Sequence, residues 1–261
     1  MNEIRLAALA AAGLLAAAPS AHATATATAT LTNFHYQVFD LDPNDGIAAA
    51  VTFASGAYAY AVASHTEGTT VSHSQNADGA IGSALSVSAL LGVNTASALT
   101  TSGDPAGAGT GPGASSIASA AGAGNTAYGS ANLVSSSFTL TPHTLLVFSA
   151  SPSGLSAATT ALGESAYASA YVQFRAADSS QISYGAAYAS AYTDGTSYIS
   201  SPTSIKASFT NLTNAEATAY AYAYASTSAY GVAAIPEPES YALMLSGLLT
   251  VGLAVRRRRT R

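Results

Sequence analysis

The stretch Tyr220-Ala-Tyr-Ala-Tyr224 decides the fold class of this chain of 261 residues. Its period of two places the tyrosines on one face of an extended strand and the alanines on the other. Alanine is the best helix former, so helices are the competing interpretation of the alanine-rich segments. A spacing of four, as between Tyr184 and Tyr188, fits one face of either element. The period of two and the abundance of Ser, Thr and Gly favour strands, and we predict an all-β body.

Segments on both sides of this stretch extend the prediction. Asp40–Gly46 has the composition of a turn, and Asp194-Gly195 that of a hairpin. Short strands at such spacings are typical of a β-sandwich. Residues 102–124 are rich in Gly, Ala and Ser, and we predict a flexible loop there. The predicted strands cover residues 24–39, 47–62, 133–150 with a break at 141–143, 165–176, 184–192 and 205–210.

Composition excludes several classes of protein. The chain has 0 Cys, which excludes disulfide-stapled modules, thiolate metal sites and cysteine-dependent enzymes. Between residues 24 and 234 the bases are only Arg175 and Lys206, against ten acids. Such an acidic surface repels nucleic acid. The sequence contains neither a Gly-x-Ser-x-Gly elbow nor a phosphate-binding loop. We therefore predict no enzymatic activity, no cofactor and no nucleic-acid partner.

The N-terminal segment has the three parts of a secretory signal peptide. Arg5 lies in the charged start, 6–18 is mostly apolar, and Ala21-His22-Ala23 is a small-x-small cleavage sequence. The apolar part is too short to span a membrane. We predict that residues 1–23 are a signal peptide read by the Sec export machinery and that the mature chain begins at Thr24.

The C-terminal segment, residues 235–261, has the pattern of a short membrane anchor. Pro236-Glu237-Pro238 precedes an uncharged apolar run over 241–255, shorter than the roughly 20 residues that a spanning helix prefers. Flanking arginines can reach headgroups and lengthen its span. Arginines that flank a membrane segment also stay on the cytoplasmic side, which places the body on the opposite side of the membrane. We predict a single C-terminal transmembrane helix, closed by Arg256, Arg257, Arg258 and Arg259.

This tail resembles the PEP-CTERM sorting signals of Gram-negative bacteria that make exopolysaccharide. The resemblance rests on the Pro236-Glu237-Pro238 tripeptide, the short apolar run and the arginine cluster, in that order. It implies a transient inner-membrane anchor that an exosortase recognises and processes near the tripeptide. It also implies a final location at the cell surface or outside the cell. The body further resembles the all-β ectodomains found ahead of such tails, at 41–47 and 138–145, and this implies fold alone.

Two functions follow as expectations for the body. The first is an exported structural protein of the cell surface or extracellular matrix, associated with the exopolysaccharide of a biofilm. The alternative is a glycan-binding β-sandwich module, in which exposed tyrosines stack on sugar rings. The competing role for the 15 tyrosines is to pack the sheet. Long alternating strands of low charge also pair with one another at a sheet edge, which would suit assembly through Tyr220–Tyr224.

Two short motifs leave alternatives open. Asp40, Asp42 and Asp45 suggest a cation site, but an EF-hand loop needs Gly at its sixth position and Glu at its twelfth. Asp45 and Val51 stand at those positions, so that loop is excluded. A weak cation site of another kind and a turn closed by local side-chain bonds both remain open. Asn211-Leu-Thr213 matches a glycosylation sequon.

Overall fold

The backbone is strand almost throughout. The computed structural model describes residues 24–232, except 55, 68, 108, 161, 178–179 and 193–196, together with residues 246–248; at 65–67, 69 and 70 it describes the backbone alone. Over these residues the strands are β1 (Thr24–Asp40), β2 (Val51–Phe53), β3 (Ala57–Glu67), β4 (Thr69–Gly79), β5 (Leu85–Leu91), β6 (Asn94–Thr100), β7 (Ala114–Ala121), β8 (Asn125–Leu140), β9 (Thr144–Ala158), β10 (Ser165–Ala176), β11 (Ile182–Ala191), β12 (Ser197–Ser200), β13 (Ile205–Asn211) and β14 (Ala217–Tyr230).

The strands form two antiparallel sheets that share one core. The six-stranded sheet has the order β13-β9-β1-β7-β6-β5. The eight-stranded sheet has the order β12-β11-β10-β14-β8-β3-β4, and the short β2 pairs with β8. Buried side chains from both sheets belong to a single hydrophobic cluster. The chain is therefore all-β, with two sheets packed face to face, as the alternation predicts.

Alanine forms most of the contact between the sheets. In β14, Ala219, Ala221 and Ala223 are fully buried, and the tyrosines between them point away from the core. In β1, Ala25, Ala27 and Ala29 are buried in the same way from the facing sheet. Short side chains allow a close approach: Cα atoms of β7 lie within 8 Å of Cα atoms of β8 and β14. Stacked sheets more often lie about 10 Å apart.

The core side chains become larger along the strands. The inward residues of β10 run from Ala166 through Ala170 to Val172 and Phe174. Phe174 lies in an aromatic cluster, with its ring centroid 4.3 Å from that of Phe148. One part of the core is thus a thin alanine layer, and the other is a thick layer of phenylalanine and leucine.

The predicted loop over 102–124 is wrong in part, and the strand predicted over 47–62 is shorter than expected. Residues 102–124 are not a flexible loop throughout, because β7 occupies Ala114–Ala121 and pairs with both β1 and β6. Its small residues suit the thin alanine layer, where larger side chains would not fit. The strand predicted over 47–62 begins only at Val51 and is interrupted before Ala57. The other predicted strands are confirmed, and the Asp194-Gly195 turn lies outside the described residues.

The first and last described residues of the strand body, Thr24 and Val232, both contact the connection between β9 and β10. Thr24 bonds to Thr160 in the connection between β9 and β10, and the Val232 side chain lies against Gly163 of that connection. Residues Ala23–Ala233 form one unit by their internal contacts. The predicted signal peptide with Ala21 and Ala23, and the tail with Pro236–Pro238 and Arg256–Arg259, lie outside the described residues. Among the residues that the structure describes, no helix has the length and apolar character needed to cross a membrane.

Candidate functional site

The outer face of the eight-stranded sheet carries twelve of the 15 tyrosines, and we call it the tyrosine face. The alternation in each strand turns alanine inward and leaves every second position for tyrosine or a small polar residue. Its tyrosines are Tyr58, Tyr60, Tyr128, Tyr167, Tyr171, Tyr184, Tyr188, Tyr198, Tyr220, Tyr222, Tyr224 and Tyr230.

Strand register groups these rings into rows. Tyr171 of β10 pairs directly with Tyr224 of β14, and their ring centroids lie 5.4 Å apart. On the other side of Tyr171, the Tyr184 ring stacks at 5.8 Å with an interplanar angle of 15°. Three strands therefore contribute to one row of rings across the sheet.

Two further groups of rings flank this row. Tyr60 lies 6.3 Å from Tyr58 in a stacked arrangement and 6.0 Å from Tyr128 of the neighbouring strand. Towards the other edge of the sheet, Tyr188 and Tyr198 stack at 5.3 Å. Such offset aromatic pairs add to the free energy of burial and hold the rings in fixed orientations.

The rings are open to solvent to different degrees. Tyr184 is 64% exposed and Tyr198 54%, whereas Tyr224 is largely covered by its neighbours. Gln173, Ser226 and Ser228 share the face with them, and Arg175 and Asp78 stand near its margins. The face is therefore mostly aromatic and uncharged, with hydroxyl and amide groups between the rings.

Four tyrosines of this face have a raised pKa. Burial raises the pKa of Tyr224 to about 12, and the nearby Tyr171 phenol adds to the effect. Burial also raises the pKa values of Tyr58 and Tyr171. For Tyr188, a hydrogen bond with Tyr198 is the largest cause of a raised pKa. These four phenols therefore keep their protons to higher pH than an ordinary tyrosine and can both donate and accept hydrogen bonds.

The opposite face of the molecule has a different chemistry. On the outer face of the six-stranded sheet, Thr26, Thr28 and Thr30 of β1 lie beside serines of β7 and β9. The Thr28 hydroxyl lies 2.7 Å from that of Ser156. Only the eight-stranded sheet, among the described strands, has rows of contacting tyrosine rings on its outside.

The Asp40–Gly46 segment is a turn closed by its own side chains. Oδ1 of Asp40 accepts the N–H of Asp42 over 2.9 Å, and Oδ1 of Asp45 accepts the N–H of Ile47 over 2.7 Å. Gly46 has a φ of 76°, which glycine adopts without strain. Within the described part of the chain, no three His, Asp or Glu side chains are grouped so that they could hold a metal ion. These bonds support the turn interpretation; a cation site at Asp40, Asp42 and Asp45 stays a prediction.

The sequon residue Asn211 has a structural role. Its side chain is 2% exposed, and its amide donates to the carbonyls of Leu140, Thr141 and Ala215. Its Oδ1 accepts the N–H and hydroxyl of Thr213. The amide is therefore engaged in joining two segments, the end of β8 and the connection from β13 to β14, and is not presented to solvent. The sequence alone does not reveal these contacts, because the segments are far apart along the chain.

The comparisons with known proteins concern the tail. Residues 234–259 match the family model of the PEP-CTERM protein-sorting motif. This match includes the Pro236-Glu237-Pro238 tripeptide and the Arg256–Arg259 cluster, and it confirms the resemblance. No curated protein and no solved structure matches the chain. The motif marks an exported protein with a membrane-associated C-terminal sorting signal, for which an exosortase is the processing partner.

Proposed function

We propose that this protein is a non-enzymatic structural component of the cell surface or extracellular matrix, associated with exopolysaccharide. The observation that carries the proposal is a PEP-CTERM motif at 234–259, directly after an all-β body. The body is acidic, with ten acids against Arg175 and Lys206, which keeps it soluble and away from nucleic acid. The bases that guide topology lie in the two terminal segments instead.

The proposed route has three stages. The Sec machinery exports the chain, and signal peptidase cuts after Ala23. The apolar tail then anchors the body to the inner membrane with its arginines on the cytoplasmic side. An exosortase recognises the tail and cuts near Pro236, and the body moves to the surface or matrix.

Intact-mass analysis of the protein from its native host, with and without the exosortase, tests this route. We expect a chain that begins at Thr24 in both strains and that lacks the arginine cluster only when exosortase is present. Replacing Pro236-Glu237-Pro238 with alanines should reproduce the exosortase-deficient result. A tail that remains unprocessed in both strains would contradict the sorting proposal.

The tyrosine face supports a second function, which is glycan binding. Twelve tyrosines lie on the outside of one sheet, where packing of the core does not require them. Aromatic rings offer an apolar surface to the C–H faces of sugars, and phenol, amide and hydroxyl groups offer hydrogen bonds. Because the face is nearly uncharged, binding to a neutral polysaccharide would depend little on salt.

Sedimentation with the host exopolysaccharide tests this second function. The single changes Tyr184→Ala and Tyr198→Ala remove exposed rings, and each should weaken binding several-fold, because each removes an apolar surface on which a sugar ring can stack. Thr28→Ala on the opposite face is the matched control. Equal binding by all three variants and the unchanged protein would exclude the tyrosine face as the glycan site.

A further inference from the structure

Glu164 is a fully buried carboxylate in the residue immediately before β10. Its side chain is 0% exposed. Oε2 of Glu164 accepts the backbone N–H of Thr160 over 2.7 Å and lies 3.4 Å from the Thr160 hydroxyl. A carboxylate in a buried place is costly unless hydrogen bonds and an opposite charge compensate it. Neither the sorting motif nor the tyrosine face gives this residue a role.

The same Thr160 hydroxyl contacts the beginning of the strand body. It accepts the backbone N–H of Thr24 over 2.7 Å. Pairing of β1 with β9, in which Thr26 is opposite Ala158, brings the two threonines together. One hydroxyl group therefore separates the Thr24 nitrogen from the buried Glu164 carboxylate.

Signal removal changes the charge of that nitrogen. Hydrolysis of the Ala23–Thr24 bond consumes one water, leaves a carboxylate on Ala23 and frees the α-amine of Thr24, which takes up the released proton. An α-amine has an ordinary pKa of about 7.7–8.0, so it is mostly an ammonium at neutral pH. A neutral amide with one N–H thus becomes a cation with three N–H donors, beside Glu164.

We propose that the α-ammonium of Thr24, created by signal cleavage, docks on Glu164 through Thr160. The inference rests on the proposed export and on cleavage after Ala23. β1 lies between β9 and β7 in the six-stranded sheet, so an ion pair at its first residue fixes a strand in the interior of that sheet. Processing then completes the fold as well as releasing the chain.

Amine labelling of the processed protein from an exporting host tests this docking. Lys206 is the single lysine and is exposed, so it serves as an internal reference for an acylating reagent read by mass spectrometry. Pairing with Glu164 keeps the α-amine protonated and unreactive. We expect it to label at least fivefold more slowly, relative to Lys206, in the unchanged protein than in Glu164→Gln. The control Glu216→Gln, at an exposed loop carboxylate, should label like the unchanged protein.

A second variant keeps Glu164 and moves the charge. One alanine inserted between Ala23 and Thr24 places the ammonium one residue outside the contact. It should label as fast as Glu164→Gln and raise the unfolding equilibrium constant about tenfold, the size expected for a charge-assisted hydrogen bond. Because the insertion variant keeps the Glu164 side chain, it tests the docking of the ammonium even where Glu164→Gln does not fold.

The possible results separate this inference from the proposed function. A mature chain that does not begin at Thr24 overturns both the cleavage site and the docking. A chain that begins at Thr24 but labels at the same rate in the unchanged protein and the inserted variant overturns the docking alone. Slow labelling in the unchanged protein, lost in the inserted variant, supports it.

Discussion

At the scale of single residues, Gly129 shows how closely the two sheets approach. A Cβ atom at this position of β8 would lie 2.5 Å from Oγ of Ser116 and 2.7 Å from the carbonyl oxygen of Ser97, both in the facing sheet. Next to it, the Ser116 hydroxyl bonds to that of Thr227 over 2.7 Å and links the sheets. A missing side chain and one hydrogen bond thus set the spacing of the alanine layer here.

Gly129→Ala should destabilise the protein by about 1–3 kcal/mol, because one methyl group overpacks the contact between sheets. Urea unfolding measures the change. Gly109→Ala is the matched control, because nothing lies within 4 Å of its Cβ position, and it should leave stability nearly unchanged. Equal effects of the two changes would mean that the sheets are not in contact at Gly129.

Tyr224 should make stability depend on alkaline pH. Its pKa is raised from 10.0 to about 12 in the folded protein, so between these values the unfolded chain loses a proton that the folded protein keeps. The contribution is fully present below pH 10 and is lost as the pH rises towards 12. Urea unfolding at pH 9 and at about pH 11.5 should show a smaller alkaline loss in Tyr224→Phe than in the unchanged protein. An equal alkaline loss of stability in both proteins would contradict the raised pKa of Tyr224 as its cause.

At the scale of elements, the alternation of alanine and tyrosine in β14 gives the strand one buried face and one outer face. The strand pairs along its whole length with β8 on one side, and from Ala219 to Tyr230 with β10 on the other. Tyr220–Tyr224 is therefore in the interior of a sheet, and this stretch offers no free edge for assembly in the folded protein. The same pairing puts its tyrosines beside those of β10 and so builds the tyrosine face.

Changes at neighbouring positions of β14 should have opposite consequences. Ala221→Leu enlarges a side chain that is 0% exposed and should cost about 1–3 kcal/mol through overpacking. Tyr220→Leu, on the outer face, should change stability by about 0.5 kcal/mol or less. Denaturant unfolding of both variants is the measurement. A larger cost at Tyr220 than at Ala221 would mean that the two faces are assigned the wrong way round.

At the scale of the whole molecule, the first and last strands of the body lie inside the two sheets. β1 lies between β9 and β7, and β14 lies between β10 and β8. The six-stranded sheet cannot be completed before β13 is available, nor the eight-stranded sheet before β14, because these pairings join residues far apart in sequence. Such non-local pairing also makes folding slow.

A chain that stops after Asn214, and so lacks β14, should show no cooperative unfolding transition. Its loss leaves β10 and β8 without their shared partner and uncovers the alanine layer of the facing sheet. The matched control stops after Val232, at the end of the described strand body, and should unfold cooperatively. Near-ultraviolet circular dichroism during a urea titration distinguishes them. A cooperative transition without β14 would show that the sheets are independent of it.

The sequence by itself determined the all-β class, the segregation of alanine from tyrosine and the sorting motif, because each is a local pattern. A period of two is visible within five residues, and Pro236-Glu237-Pro238 is read in order along the chain. It did not determine which face of a strand would be buried, since tyrosine offers more apolar area than alanine. The sequence also did not reveal β7, because loops and close-packed strands can both be rich in Gly, Ala and Ser.

Tertiary structure decided these points through partners that are distant in sequence. The alanines of β14 are buried because β1 and β7, some hundred residues or more away, present small side chains at a close sheet spacing. The tyrosines are consequently left outside, where the register aligns them in rows. The placement of Thr24 near Glu164, through the Thr160 hydroxyl, has the same origin, because the pairing of β1 with β9 brings together residues that are more than a hundred positions apart.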